Sequence, residues 1–258
     1  MPMNIPAFAP VLSALMLAIP VSSQAALSAY SQNFETLAPG EPGTGNNTAL
    51  SDDGWRTFGS VHAADGTYLY GYGPGPAPNG SLAFSSIGAG TFAQGGPQQG
   101  AQVLVVYSDY TNSAHGIGQI VHSSVFQQQV VGAADVGTTW TFQFDAKLDA
   151  FAPLRAPSTA LAFVQTTDPS NGFRVTGQAL IPLSAVPATW GTYSVGFTVT
   201  GGAGQLLEFG FFNTATNYAP SAVAYDNVLF APVPEPSTYA LMLAGLGWLL
   251  AAGRRRRR

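Results

Sequence analysis

The feature that most constrains this fold is a two-residue alternation that recurs along the chain. In Thr139–Leu148, Trp140, Phe142, Phe144, Ala146 and Leu148 fall on one side, and Thr139, Thr141, Gln143, Asp145 and Lys147 on the other. Successive side chains of a strand point to opposite faces, so this pattern describes a strand with one face in a core and one in water. Thr192–Thr200 repeats it with Tyr193, Val195, Phe197 and Val199, and Gln205–Asn213 with Leu207, Phe209 and Phe211. The same reading predicts strands at Ser28–Leu37, Trp55–Val61, Thr67–Tyr72, Ser81–Ser86, Gln102–Ser108, Gln119–Val130, Ala160–Gln165, Val175–Ile181 and Val223–Phe230. Clusters of Gly, Pro, Asn and Asp separate them, with the chemistry of turns and loops. No long segment has a helical period, and no repeat of fixed length is visible. A dozen short strands with regular turn signals predict an all-β protein, an antiparallel β-sandwich of jelly-roll-like type.

Composition narrows the function classes. The chain has no cysteine, so its core stands without disulfides and it has no thiol chemistry. Five of its nine basic residues are the terminal Arg254, Arg255, Arg256, Arg257 and Arg258. The body keeps only Arg56, Lys147, Arg155 and Arg174 against twelve acids. Such a surface argues against nucleic acid, whose binding depends on neutralising phosphates. It suits divalent cations.

The two ends speak of export. Met1–Ala25 has an apolar run from Ala7 to Ile19, then Pro20 and the small-x-small sequence Ser23-Gln24-Ala25. This is the pattern of a secretory signal peptide, here with no Lys or Arg in its first residues. At the other end, Pro234, Glu235 and Pro236 precede an uncharged apolar stretch, Tyr239–Ala252, that runs into the arginines. The prolines break the chain away from the preceding domain. The apolar stretch, with its flanks, reaches the lower limit of a membrane-spanning helix, roughly 17 residues. Clustered arginines stay on the cytoplasmic side and act as a stop-transfer signal. The expected order is a signal peptide at 1–25, a sandwich at 26–230, a proline-rich linker at 231–238, one transmembrane helix at 239–253 and a cytoplasmic cluster at 254–258.

The triplet, Ser237, the apolar stretch with Gly245 and Gly247, and the basic cluster together resemble the PEP-CTERM sorting signal of Gram-negative bacteria, also catalogued as an ice-binding protein C-terminal domain. The resemblance covers about a tenth of the chain. It implies passage through the secretion machinery and insertion in the inner membrane with the domain outside the cytoplasm. Cleavage by exosortase, a membrane Cys protease, near the triplet then sends the protein to the cell surface or beyond. It also implies an association with exopolysaccharide and biofilm.

A second resemblance rests on Asn33-Phe34-Glu35, Gly54-Trp55 and Ala224-Tyr225-Asp226-Asn227-Val228, which are similar to segments of galactose-binding-like jelly rolls, a group with many carbohydrate-binding modules. It implies a structural calcium ion held by Glu35 and Asp226, with backbone carbonyls completing the shell. Calcium takes six to eight oxygens, so two carboxylates with carbonyls and waters suffice. Without the ion, the same two residues would be hydrogen-bonded acids near a strand edge.

No motif assigns catalysis. His62, His115 and His122 have no metal-ligand spacing and read as isolated polar residues. There is no GxSxG elbow and no phosphate loop. The carboxylate pairs Asp52–Asp53 and Asp145–Asp149 are the only hydrolytic candidates, and Asp52-Asp53-Gly54 reads more simply as a turn. Tyr68, Tyr70 and Tyr72 alternate along one strand, which would place three rings on one face for stacking on sugars or for ordinary sheet packing. The expected function is therefore non-enzymatic: an exported surface or matrix protein, structural or exopolysaccharide-associated. The alternatives are a calcium-dependent carbohydrate-binding module and a polysaccharide-modifying hydrolase.

Overall fold

The computed structural model describes residues 26–39, 48–72, 85–87, 96–108, 118–149, 158–216, 219 and 221–233. The expected signal peptide, Pro-Glu-Pro triplet, transmembrane helix and arginine cluster lie outside these residues. Among the described residues no helix is long and apolar enough to cross a membrane.

Twelve strands form among the described residues: β1 (Tyr30–Gln32), β2 (Trp55–His62), β3 (Tyr68–Tyr72), β4 (Ser85–Ile87), β5 (Leu104–Ser108), β6 (Ile120–Val130), β7 (Thr139–Leu148), β8 (Thr159–Asp168), β9 (Arg174–Pro182), β10 (Gly191–Thr198), β11 (Leu206–Thr216) and β12 (Ser221–Pro232). One four-residue helix, α1 (Ala49–Asp52), precedes β2. All pairings are antiparallel and make two six-stranded sheets. The first runs β10-β7-β12-β5-β4, with β1 also on β12; the second runs β3-β2-β6-β11-β8-β9. The antiparallel sandwich expected from the alternation is what forms.

The inward phase of each alternating strand supplies the core. Phe142 and Phe144 of β7, Tyr225 and Phe230 of β12, and Leu207, Phe209 and Phe211 of β11 are fully buried. Rings from the two sheets interlock. Phe209 stacks on Phe230 at 4.3 Å between centroids and Phe211 on Tyr225 at 3.6 Å. Trp140 stacks on the far side of Phe230 at 4.8 Å. Burying each such side chain contributes about 1.5–3 kcal/mol.

Local backbone chemistry corrects several boundaries. The strand expected at Ser28–Leu37 is only Tyr30–Gln32, because Phe34 turns into the left-handed region (φ 59°) and drops its ring into the core. The expected linker at 231–238 begins later. Ala231 and Pro232 still pair with Thr141 and Trp140, and the Val233 N–H donates to Thr139 O at 2.8 Å. Pro232 is tolerated there because it is the last residue of its strand.

The tyrosine triplet is also rearranged. Val61 pairs with Tyr70 but His62 pairs with Tyr68, so Leu69 is an extra residue in a bulge. A bulge re-aims the side chains that flank it. Tyr70 therefore packs inward with Val61, Val121 and Ala215, while Tyr68 lies outside, 57 % exposed, against His62. The expected single face of three rings does not form.

Candidate functional site

The outer face of the second sheet is built by side chains of the phase opposite to the core. Register places Phe58 (β2), Ser124 (β6), Phe212 (β11), Leu161 (β8) and Pro182 (β9) in one row across five strands. The next row holds Arg56, Phe126, Gly210, Phe163 and Leu180. Phe58 and Leu180 are 52 % and 46 % exposed, far from the burial that their apolar surface would favour. At the centre only glycine fits at position 210: a Cβ there would collide with the Val125 carbonyl and with Phe126. Phe126 and Phe163 flank it, with ring centroids 6.4 Å apart.

Beside the rings runs a ladder of amides. Gln128 Nε2 donates to Glu208 Oε1 and Gln165 Nε2 to Glu208 Oε2, both at 2.7 Å, and Gln178 Nε2 donates to Gln165 Oε1 at 3.0 Å. The four residues lie on β6, β11, β8 and β9. Glu208 is buried with both oxygens engaged, so it serves as the anchor that orients the amides. Leu161, Phe163, Gln165, Gln178, Leu180 and Phe212 line a cavity of about 240 Å³ where rings and amides meet.

At the other end of this face two histidines expected to be isolated come together. The rings of His62 and His122 are 4.7 Å apart, and His122 packs on Phe212 at 4.9 Å. Gly66 O can only accept, so His62 Nδ1 donates to it (3.1 Å), and Nε2 is hydrogen-bonded with Ser60 Oγ (3.1 Å). Burial, and then the neighbouring His62, hold His122 down from 6.5 to about 4. His115 lies outside the described residues.

The first sheet carries a different arrangement on its outer side. Glu35 Oε1 accepts the N–H groups of Ala101 and Gln102, both at 2.8 Å. Asp145 Oδ1 accepts from Thr192 Oγ1 at 2.6 Å, and its Oδ2 accepts from Gln99 Nε2 and Asn227 Nδ2, both at 2.8 Å. Asp226, fully buried, pairs with Asp145 across β12 and β7. Its Oδ1 accepts from the Asn227 N–H at 2.6 Å, while Oδ2 has no hydrogen-bond partner among the described residues. Burial first, and then the Glu35 and Asp145 carboxylates, push Asp226 up from 3.8 to about 7. A bulge with Asn227 at φ 48° makes this possible, since it turns Asn227 toward Gln98 O and Asp145.

The Glu35 carboxylate is near enough to help raise the Asp226 pKa, and Asp226 Oδ2 is buried without a donor. Asp145 does not add a free ligand, because its oxygens already serve three donors. Among the described residues no group of three or more His, Cys, Asp or Glu is arranged to hold a metal ion. The Asp52–Asp53 pair has a structural job: Asp53 Oδ2 accepts from Tyr30 Oη (2.5 Å), Gln32 Nε2 (2.8 Å) and Trp55 Nε1 (3.2 Å), and Asp52 accepts from Thr48 Oγ1 (2.6 Å). Burial, then Asp53, drives the Tyr30 hydroxyl strongly upward in pKa.

The outer-face rings escaped the sequence reading. Their signal is an apolar pair within an alternating strand: in Val125-Phe126, Phe163-Val164 and Phe211-Phe212 one residue joins the shared core and its neighbour takes the opposite face, where Phe163 is only 6 % exposed.

No curated protein matches the chain. Solved structures resemble it at low identity. A cyclase from Fischerella sp. TAU is 18 % identical, with TM-score 0.45, over 80 % of this chain and 98 % of that one. The CBM22-1 xylan-binding domain of Paenibacillus barcinonensis Xyn10C is 15 % identical, with TM-score 0.41, over 83 % and 99 %. The enzymatically active domain of bacteriophage CBA120 tailspike protein 4 is 14 % identical, with TM-score 0.43, over 74 % of this chain; the match spans about a fifth of the tailspike chain (21 %). The tail is more specific: residues 232–258 match the PEP-CTERM protein-sorting motif, which implies an exported, membrane-processed protein recognised by exosortase.

Proposed function

We propose that this is an exopolysaccharide-associated surface protein that binds a neutral, extended polysaccharide on the outer face of its second sheet. The observation that carries the reading is the row of rings beside the Gln128–Glu208–Gln165–Gln178 ladder. Sugar rings present apolar faces and hydroxyl edges; aromatic faces take the first, and oriented amides the second. Neighbouring strands are about 4.8 Å apart, so five strands offer a platform of about 19 Å, long enough for several sugar units. The acidic body disfavours a polyanion. Of the expected trio, Tyr68 lies beside His62 on this side of the sheet and Tyr70 packs on the other.

Affinity electrophoresis in gels containing the exopolysaccharide of the producing cells tests this. Retardation should fall about tenfold or more in Phe163→Ala and in Phe212→Ala, with folding checked by melting. Equal retardation of parent and variants, or none in the parent, overturns the proposal.

The same reading includes a structural calcium ion at Glu35 and Asp226, supported by the buried Asp226 oxygen that lacks a donor. Calcium should raise the melting temperature above that in EDTA, and Asp226→Asn should remove the rise. No shift in the parent would sink it.

No catalysis is proposed. Asp53 and Asp145 each serve three donors, and Glu208 serves two amides. Reducing ends released from the exopolysaccharide would favour the hydrolase instead. Sorting is tested by intact mass: a chain ending near Pro234–Ser237 supports exosortase processing, and one retaining Arg258 refutes it.

A further inference from the structure

We propose a second, independent saccharide site on the first sheet, a pocket that takes a single neutral pyranose ring or chain end. The pocket, about 270 Å³, lies between Trp190 and the segment Gly96–Gly100, and Pro97, Gln98, Gln99, Asp145 and Thr192 complete it. It is smaller than the roughly 300–1,000 Å³ of sites for drug-sized ligands, which sets the occupant at about one ring.

Three features make it a built site. The indole of Trp190 forms one wall, with the Lys147 ammonium 5.3 Å from the ring centroid. This cation–π contact fixes the plane of the ring. Gln99 and Asp145, only 5 % and 6 % exposed, supply the polar wall. Asp145 is held by Thr192, Gln99 and Asn227, so three of its roughly four lone-pair sites are filled and its remaining acceptor direction is fixed. Gly96 lets the backbone pack closely behind the two walls: a Cβ there would lie 2.9 Å from Trp190 Cδ1 and collide with Gln99 Oε1.

The lining selects the ligand class. An anion would face Asp145, and a purely apolar ring would strip water from Gln99 and Asp145 without replacing it. A hydroxylated ring satisfies both walls, stacking on the indole and donating a hydroxyl to the carboxylate. The segment itself is tied to the sheet by Glu35, which accepts the Ala101 and Gln102 N–H groups, and by Asn227, which donates to Gln98 O at 3.0 Å.

The test is titration of the full chain with the methyl glycosides of glucose, galactose, mannose and xylose, read by tryptophan emission and by ligand-observed NMR. At least one should saturate. Saturation should weaken tenfold or more in Trp190→Ala and in Gly96→Val, the second of which keeps the indole but pushes it and Gln99 out of place. Val136→Ala, at an exposed turn outside both sites, should bind the glycoside as the parent does. Saturation by none of the four at tens of millimolar, or equal binding by a folded Trp190→Ala, overturns the proposal. Loss of polysaccharide retention in Phe163→Ala reports on the sheet platform alone, so the two readings fail separately.

Discussion

The outer faces of the two sheets solve the same problem in opposite ways. Both belong to strands whose inner phase is spent on one shared core. The second sheet leaves its outer face to rings, amides and the paired rings of His62 and His122. The first sheet gathers Glu35, Asp145 and Asp226 on its outer side and ties the Gly96–Gln102 segment over them. One face offers surface to a long ligand. The other offers a small pocket beside an acidic cluster, with the Lys147 ammonium over the Trp190 ring. The difference shows that strand periodicity sets only which side is out; what the side does depends on which strands register brings together.

The largest expected effect removes the feature the two faces share. Phe230→Ala deletes a ring stacked between Trp140 and Phe209 and should cost about 3–5 kcal/mol. Chemical denaturation should show one transition moved to lower denaturant, with both faces lost together. Separate transitions would mean the sheets are less coupled than their interlocked rings require. Next is a change confined to the second sheet. Gly210→Val forces a branched side chain against the Val125 carbonyl and Phe126, and should cost about 1–3 kcal/mol. It should also spread Phe126 from Phe163 and weaken polysaccharide retention, while glycoside binding at Trp190 persists. Loss of both would merge the two sites into one.

The strands were legible because half-burial writes itself into adjacent residues. Thr139–Leu148 was read to the residue, and the twelve expected strands all have counterparts. The tail was legible because export signals are linear. What stayed hidden was set by tertiary contacts. The left-handed turn at Phe34 shortens β1, and nothing in a phenylalanine announces a positive φ. The bulge at Leu69 parts Tyr68 from Tyr70 although their spacing is right for one face. Glu35 and Asp226 were paired only through family resemblance. Asp145, which lies beside Asp226 across the sheet, was read as half of a different pair with Asp149. The two adjacent rows that hold Phe58 with Phe212 and Phe126 with Phe163 exist only across strands, so no single segment displays them.

The smallest expected effect is the sharpest test, because the two faces should titrate with opposite signs. Asp226 is raised from 3.8 to about 7, so protonation favours the folded state. Its stabilising contribution is complete below about pH 4 and disappears as the pH rises through about 7. His122 is lowered from 6.5 to about 4, so the neutral ring favours the folded state. Its contribution is complete above about pH 6.5 and disappears as the pH falls through about 4. Between these limits the two slopes oppose each other, and the metal-free protein should show a shallow profile. Asp226→Asn in EDTA should leave the histidine limb, with melting temperature rising from pH 4 to 6.5. His122→Gln should leave the carboxylate limb, with melting temperature falling over the same interval. Calcium should flatten the second variant by taking the place of the proton on Asp226, and leave the first unchanged. Parallel profiles for parent and both variants would show that neither group carries the charge balance of its face, and the contrast between the sheets would be one of shape alone.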